Sequence, residues 1–230
     1  GRKGDVCPFV RSSVAKELFL TTAVVENRGD GAVVRQAMSR IREVFADMAP
    51  SSRPPAEITT EHHYKTITVL FPAVRPEDAP DVIDGLHREL KPDYVRDGFM
   101  IGEFHPVCPS PGLHNRDFRP LQAPVPMLVI RHITKWDAPF MTGSNAYIAA
   151  YLAHFGDEGR RRMAALADAK STLFPADHKD AIRRAMDQFA AQVVGHVAGQ
   201  MADERAHAAG TASLTARSAG VAGRSMTSSP

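Results

Sequence analysis

A long segment with helical spacing stands among several short apolar stretches in the first half of the chain. Between Gly31 and Met48, apolar side chains recur every three or four positions, directly after Asp30. This spacing places them on one face and predicts an α-helix with Asp30 as its N-cap. Four shorter stretches have the length and apolar content of β-strands: Glu17–Val25, His63–Phe71, Phe99–Phe104 and Met127–His132.

Helical spacing dominates the last third of the chain. Ser144 can cap a helix that reaches about His154, and Asp177 can cap a longer one that reaches about Met201. Two shorter helices are predicted at Pro80–Leu90 and Gly156–Ala169. Since strands and helices do not alternate regularly, we predict an α+β fold, in which a mixed or antiparallel sheet packs against helices and the C-terminal third is helical.

The length and composition predict one domain followed by a tail. The chain has 230 residues, close to the size of one large domain. From His207 onward it consists mainly of Ala, Ser, Thr, Gly and Arg and carries no acidic residue. Such a segment buries little apolar surface. We therefore predict a single domain at 1–202 and a flexible tail at 203–230.

The charge balance argues against several classes of partner. Lys and Arg total 28 against 26 for Asp and Glu, so the formal net charge is only +2. Without a basic cluster, nucleic acid is not an expected partner. No apolar run reaches about 18 residues, so a membrane partner is not expected either. The chain has two cysteines, Cys7 and Cys108, which fit a reducing cytoplasm better than a secreted disulfide framework.

The richest chemistry lies in the predicted loop at 105–126, which contains six prolines. His105 precedes Pro106 and Cys108 precedes Pro109, so the backbone of both residues is restricted. An imidazole at the end of a strand can bind a metal or haem iron, and a thiolate is a soft ligand for the same ions. The alternatives are a hydrogen-bonded loop histidine and a buried, unreactive thiol.

Several other polar residues are candidates for a site near this loop. The guanidinium groups of Arg116, Arg119 and Arg131 can bind carboxylates, such as haem propionates or an amino-acid substrate, in bidentate fashion, or simply keep the surface soluble. His132 lies in a predicted strand, where a histidine is more often part of the core. Glu61 and Glu103 are the nearest acidic candidates for proton transfer.

Four segments of the chain carry a further signal: the early stretch from Val6 to Phe9, the stretch from Phe99 to Pro106, the stretch from Asn115 to Pro120 and the stretch from Pro126 to His132. Together they resemble the YqcI/YcgG-like family over residues 5–140. The resemblance implies a b-type haem with His105 as the proximal ligand and His132 near the haem pocket. It also implies haem-dependent N-hydroxylation of a small molecule with a guanidino or amino group, with an electron donor or peroxide.

The sequence leaves alternatives open. The segment from Cys108 to Gly112 departs from the family pattern, so either Cys108 or His105 can be the axial ligand. A non-catalytic haem-binding or haem-sensing protein would use the pairs Cys7-Pro8 and Cys108-Pro109. A third hypothesis is a metal-free α+β protein that forms a homodimer through its C-terminal helices.

Overall fold

Four strands form one mixed sheet in the computed structural model, which describes residues 7, 9–25, 30–48 and 62–222. The strand order is β1-β2-β4-β3; β1 pairs with β2 in parallel, and β4 is antiparallel to both β2 and β3. The predicted α+β class and mixed sheet are confirmed. The strands are β1 (Phe19–Ala23), β2 (Thr66–Leu70), β3 (Phe99–Phe104) and β4 (Met127–His132).

Five α-helices and three short helical turns complete the described part of the fold. The turns are a 3-10 turn at His62–Tyr64, a π-helical turn at Pro80–Asp84 and a 3-10 segment at Lys135–Met141. The α-helices are α1 (Val10–Ala15), α2 (Gly31–Asp47), α3 (Gly85–Arg96), α4 (Asn145–Ala167) and α5 (Ala176–Ala222).

The helix α2 forms where the spacing of apolar residues predicts it. The Asp30 carboxylate accepts a hydrogen bond from the amide of Ala32 at 2.8 Å, so the predicted N-cap is confirmed. Val34, Met38 and Phe45 are its buried side chains. They lie on one stripe, as an amphipathic helix requires.

The main core lies between one face of the sheet and the helices α2 and α3. Alternate strand residues supply the sheet side of this core: Ile67, Val69, Phe99, Ile101, Leu128 and Ile130. Tyr94 of α3 is buried in the core, and its hydroxyl donates to the carbonyl of Met38 in α2 at 2.7 Å. That hydrogen bond joins the two helices and satisfies the one polar group that Tyr94 carries inward.

Helix α3 begins directly after the π-helical turn and ends two residues before a glycine. Its last residue is Arg96, so it continues past the predicted end at Leu90, with Pro92 inside it. Gly98 follows with φ +81°, a backbone conformation that favours glycine. A Cβ atom at Gly98 would also lie 3.2 Å from the His154 ring. The chain therefore turns sharply from α3 into β3.

Helix α4 confirms both predictions made for its segment. The Ser144 hydroxyl accepts from the amide of Tyr147 at 3.2 Å, so Ser144 is the N-cap. At Gly156 the backbone leaves the helical conformation, with φ 50° and ψ −128°. The two predicted helices are thus one helix with an interruption at this glycine.

Helix α5 differs from the prediction at both ends. It begins at Ala176, so Asp177 lies in its first turn instead of capping it, and it continues to Ala222. The chain divides into two units, Gly1–Arg183 and Arg184–Pro230. The boundary at 202 and the flexibility of the tail stay predictions, and residues 223–230 lie outside the described part. None of the helices in the described residues has the length and apolar content needed to cross a membrane.

Candidate metal centre

Three side chains with metal-binding donor atoms converge where β3 leads into the long loop. Asp84, His105 and Cys108 each place one such atom so that all three lie within 4.8 Å of one another. His105 and Cys108 have no exposed surface, and 16% of the Asp84 side chain is exposed. A bound ion keeps its ligand atoms about 3–4 Å apart, so the present spacing is close to that of a metal site.

The packing of α3 against β3 explains how these residues meet. Asp84 ends the π-helical turn before α3, and His105 directly follows β3. Turns of the π type are rare and often lie at functional sites. Cys108 is brought back toward His105 by a tight turn, in which the Cys108 amide donates to the His105 carbonyl at 3.2 Å. The Gln122 side chain donates to the Cys108 carbonyl at 3.3 Å and fixes the turn from the other side.

The His105 ring has one partnered and one unpartnered nitrogen. Its Nε2 lies 3.0 Å from Oδ1 of Asp84. Its Nδ1 is buried and makes no hydrogen bond within the described residues. A buried polar atom without a partner is costly, and a carboxylate that orients a histidine ring is typical of metal-binding histidines. The free nitrogen is therefore the strongest local sign of a missing ligand.

A second polar pair lies next to this cluster. Glu103 precedes His105 by two residues, and its Oε2 is 3.2 Å from Nε2 of His87. The same Nε2 lies 3.2 Å from the carbonyl of Ile101. Burial, together with the nearby Lys91 charge, lowers the pKa of His87 to about 4. The ring is therefore neutral at neutral pH, and it donates a hydrogen bond instead of forming an ion pair.

One cation, Lys91, lies beside these acidic groups. It is half-buried, and its Nζ sits 5.4 Å from the centre of the Tyr147 ring. Burial lowers the pKa of Lys91, while the Glu103 and Asp137 charges raise it. Burial raises the pKa of Glu103; Lys91 opposes this shift and Asp84 adds to it. Glu103 is therefore the group on which both Lys91 and Asp84 act.

Two residues that the sequence assigned to the site lie elsewhere. The Arg131 guanidinium donates to both carboxylate oxygens of Asp137, at 2.7 and 2.6 Å. The His132 ring packs against Phe45 and Phe99, with ring centres 4.9 and 5.4 Å apart. His132 pairs with Phe99 at the start of β3, whereas His105 follows the end of that strand. Six residues of strand separate the two ends by roughly 20 Å.

The remaining predicted residues do not join the cluster within the described residues. Arg116 is exposed, and the Arg119 guanidinium donates to the carbonyls of Arg116 and Phe118 in its own loop. Cys7 is half-buried and lies near Arg131, so it belongs to the other end of the sheet. Glu61 lies outside the described residues.

Three residues in or next to the cluster were not predicted from the sequence. Asp84, His87 and Lys91 belong to the turn and helix that follow Pro80. Their spacing of three and four positions would have shown that they share a helix face. The prediction of a helix in that segment rests on its apolar face alone and does not draw on this polar stripe.

The comparisons with known proteins add the family. A family model described as a domain of unknown function, DUF6875, matches residues 1–166. The chain belongs to the DUF6875 family. All residues of the cluster lie within the matched part of this DUF6875 chain. No curated protein and no solved structure matches it.

Proposed function

We propose that this DUF6875 protein is a metal-dependent enzyme whose single metal ion is bound by Asp84, His105 and Cys108. The observation that carries the proposal is the convergence of these three donors, two of them fully buried.

The charges of the cluster support a bound cation. Asp84 and Glu103 are carboxylates with largely buried side chains, 16% and 17% exposed. Lys91 acts on the Glu103 charge, and His87 is neutral. Buried carboxylates are expensive unless they are paired or bind a metal. A divalent ion would supply the missing positive charge.

The donor set favours a transition metal. Thiolate and imidazole ligands suit Zn²⁺ and Fe²⁺, whereas Ca²⁺ and Mg²⁺ prefer oxygen ligands. Three protein ligands leave one coordination position open, which is typical of catalytic centres. When bound, the metal would supply a Lewis acid and, if it is iron, a redox centre. Around it, His87 would hold the Glu103 carboxylate in place.

A haem at His105 fits the described residues less well than a single ion. The His105 ring has no exposed surface, whereas a haem needs an open face above its ligand nitrogen. Arg131, one of the predicted propionate partners, is paired with Asp137 and lies at the far end of the sheet. Haem binding through His105 or Cys108 stays a prediction of the sequence.

The resemblance found in the sequence suggests which substrates to test first. Oxidation of a small molecule with an amino or guanidino group is the first reaction to assay, with an electron donor or peroxide. The site faces the surface through Asp84 and Glu103, its partly exposed members, so a small molecule would enter from that side. We also propose a cytoplasmic location, since both described cysteines are free thiols.

The metal content of the purified protein tests the proposal directly. We expect about one equivalent of zinc or iron per chain by elemental analysis, and its loss in His105→Ala and Cys108→Ser. His114→Ala is the matched control, because His114 is an exposed histidine of the same loop. Protein that stays metal-free after reconstitution with Zn²⁺ and Fe²⁺ would refute the proposal. A strong Soret band in place of the free ion would establish the haem hypothesis instead.

A second candidate function is covalent catalysis by Cys108. The Asp84–His105 hydrogen bond leaves the other ring nitrogen free to accept a proton, and the Cys108 sulfur lies in the same cluster. A cysteine, a histidine base and an orienting carboxylate form the arrangement that activates a thiol. The thiol proton would pass to His105 while the sulfur bonds to an electrophilic carbonyl carbon, whose π electrons move onto its oxygen.

Alkylation of the metal-free protein distinguishes this candidate from the metal centre. If Cys108 is a nucleophile, iodoacetamide should modify it in the folded protein, and His105→Ala should slow the reaction about tenfold. Cys7 provides the internal reference in the same mass spectra. Cys108 that reacts only after unfolding would exclude the candidate.

A further inference from the structure

Lys91 is placed on the face of α3 that carries His87, whose ring contacts Glu103. It follows His87 by four positions, and in a helix residues four apart lie on the same face. Helical side chains also lean toward the N-terminus, so Lys91 is directed back toward His87 and Glu103. The effect of each charge on the others agrees with this placement.

The Lys91 ammonium group lacks a hydrogen-bond acceptor in the described residues. Its Nζ makes a cation–π contact with Tyr147, but it forms neither a hydrogen bond nor an ion pair there. An ammonium group carries three donors, and the contact with a ring uses none of them. Glu103 is near enough to act on the Lys91 charge, yet it is not close enough to pair with it.

We propose that Lys91 is the binding residue for a carboxylate group of the substrate, next to the metal ion. This inference rests on the proposed metal-dependent function, and it gives Lys91 the part that the sequence analysis assigned to three arginines. Those arginines are exposed, bonded within their own loop or paired with Asp137. Lys91 is the cation that the described structure brings to the cluster.

The charges around Lys91 favour a monocarboxylate over a phosphate. A carboxylate carries one negative charge, and a phosphate monoester carries about −1.5 to −2 at neutral pH. Asp84 and Glu103 would repel the larger charge more strongly, and one lysine cannot neutralise it. The Tyr147 ring next to Nζ adds apolar surface that suits a short hydrocarbon chain. The ligand is therefore a small, apolar monocarboxylate or a molecule that contains one.

Butyrate and its neutral analogue butyramide test this inference on the full chain. In metal-free protein treated with a chelator, we expect butyrate to shift the amide NMR signals near Lys91 and Tyr147 with millimolar affinity. Butyramide should bind at least about tenfold more weakly, as expected for the loss of a charged hydrogen bond. Phosphate should bind more weakly than butyrate.

Variants on the same helix show whether Lys91 is responsible. Lys91→Met should weaken butyrate binding about tenfold, and Lys91→Arg should restore most of it. Arg88→Met, which removes an exposed charge from the same helix, should change nothing. The inference would be overturned if Lys91→Met bound butyrate as tightly as the native chain, or if Arg88→Met lost as much affinity as Lys91→Met. It would also be overturned if the native chain bound no butyrate at about 50 mM.

The metal-binding variants separate this inference from the proposed function. Lys91→Met should keep the metal content of the native protein, and Asp84→Asn should still bind butyrate in its metal-free form. If the native protein takes up no metal on reconstitution but still binds butyrate through Lys91, the inference about Lys91 is supported and the metal centre is refuted. Metal binding without any butyrate binding would refute the inference about Lys91 alone.

Discussion

Asp84 and His105 lie 21 positions apart in the chain, yet Oδ1 of Asp84 is 3.0 Å from Nε2 of His105. The contact exists because α3 packs along β3 and brings the start of the helix to the end of the strand. The orientation of the His105 ring therefore depends on the fold as a whole and on one carboxylate in particular.

Replacement of this carboxylate should weaken metal binding. Asp84→Asn keeps the shape of the side chain but removes the charge of a proposed ligand. The loss should be at least as large as that caused by removing a group that orients a metal-binding histidine, typically about 10–100-fold in affinity. We expect a decrease of roughly that size in competition with a chromogenic chelator. Asp81→Asn, in the same turn but exposed, is the control. Unchanged affinity in Asp84→Asn would remove Asp84 from the site.

His87 should make the protein less stable in mild acid. Its pKa is about 4 in the folded protein against 6.5 for the free side chain, because it is buried. Between these values the unfolded chain binds a proton that the folded chain does not. Stability is therefore full above pH 6.5 and falls as the pH drops toward 4, by about 3 kcal/mol for this group.

Urea unfolding of the metal-free protein at several pH values measures this effect. His87→Gln should show a smaller loss of unfolding free energy between pH 6.5 and 4 than the native protein. His114→Gln, which changes an exposed histidine, should follow the native curve. Parallel curves for His87→Gln and the native protein would contradict the prediction.

The Arg131–Asp137 pair should matter for stability and not for ligand binding. Asp137 is almost fully buried and accepts further hydrogen bonds from the amide and hydroxyl of Thr134, at 2.7 and 3.0 Å. Removal of one partner from a buried ion pair typically costs about 3–5 kcal/mol. Asp137→Asn should thus lower the unfolding free energy strongly while the metal content per folded chain stays unchanged.

An exposed ion pair serves as the comparison for Asp137→Asn. Asp157 pairs with Arg160, but 78% of its side chain is exposed, and exposed pairs contribute little. Asp157→Asn should leave the denaturation midpoint nearly unchanged. If the two variants were equally stable, the Arg131–Asp137 pair would contribute no more to the unfolding free energy than an exposed pair does.

The turn between α3 and β3 should not tolerate a side chain at Gly98. Alanine would be strained at φ +81°, and its Cβ would press on the His154 ring at 3.2 Å. We expect Gly98→Ala to lose about 1–2 kcal/mol of stability. Gly85→Ala places its Cβ in open space within α3 and should gain up to about 1 kcal/mol. Thermal unfolding of the two variants should therefore shift in opposite directions.

Local sequence patterns predicted the elements better than their arrangement. The bounds of β3 and β4 and the caps at Asp30 and Ser144 follow from residue spacing and side-chain chemistry over a few positions. The parallel pairing of β1 with β2 does not, because it joins residues far apart in the chain. The end of α5 was also missed, because alanine-rich sequence suits a helix as well as a flexible tail.

The candidate site was predicted only in part, for a geometric reason. His105 and Cys108 are neighbours in the chain, so their common loop was enough to bring them together. Arg131 and His132 are also near in sequence, but β4 runs antiparallel to β3 and carries them to the far end of the sheet. Asp84 reaches His105 only through the packing of a helix on a strand, which local periodicity does not encode.

The proposed ligands His105 and Cys108 lie in the connection between β3 and β4, outside the paired strand residues. The ladder of β3 and β4 does not depend on these two side chains. Natural variation can therefore lengthen, shorten or replace this connection while the sheet persists. If the proposed metal centre exists, members of the family that lack both residues would retain the architecture without the metal, so that the same scaffold would serve a different chemistry.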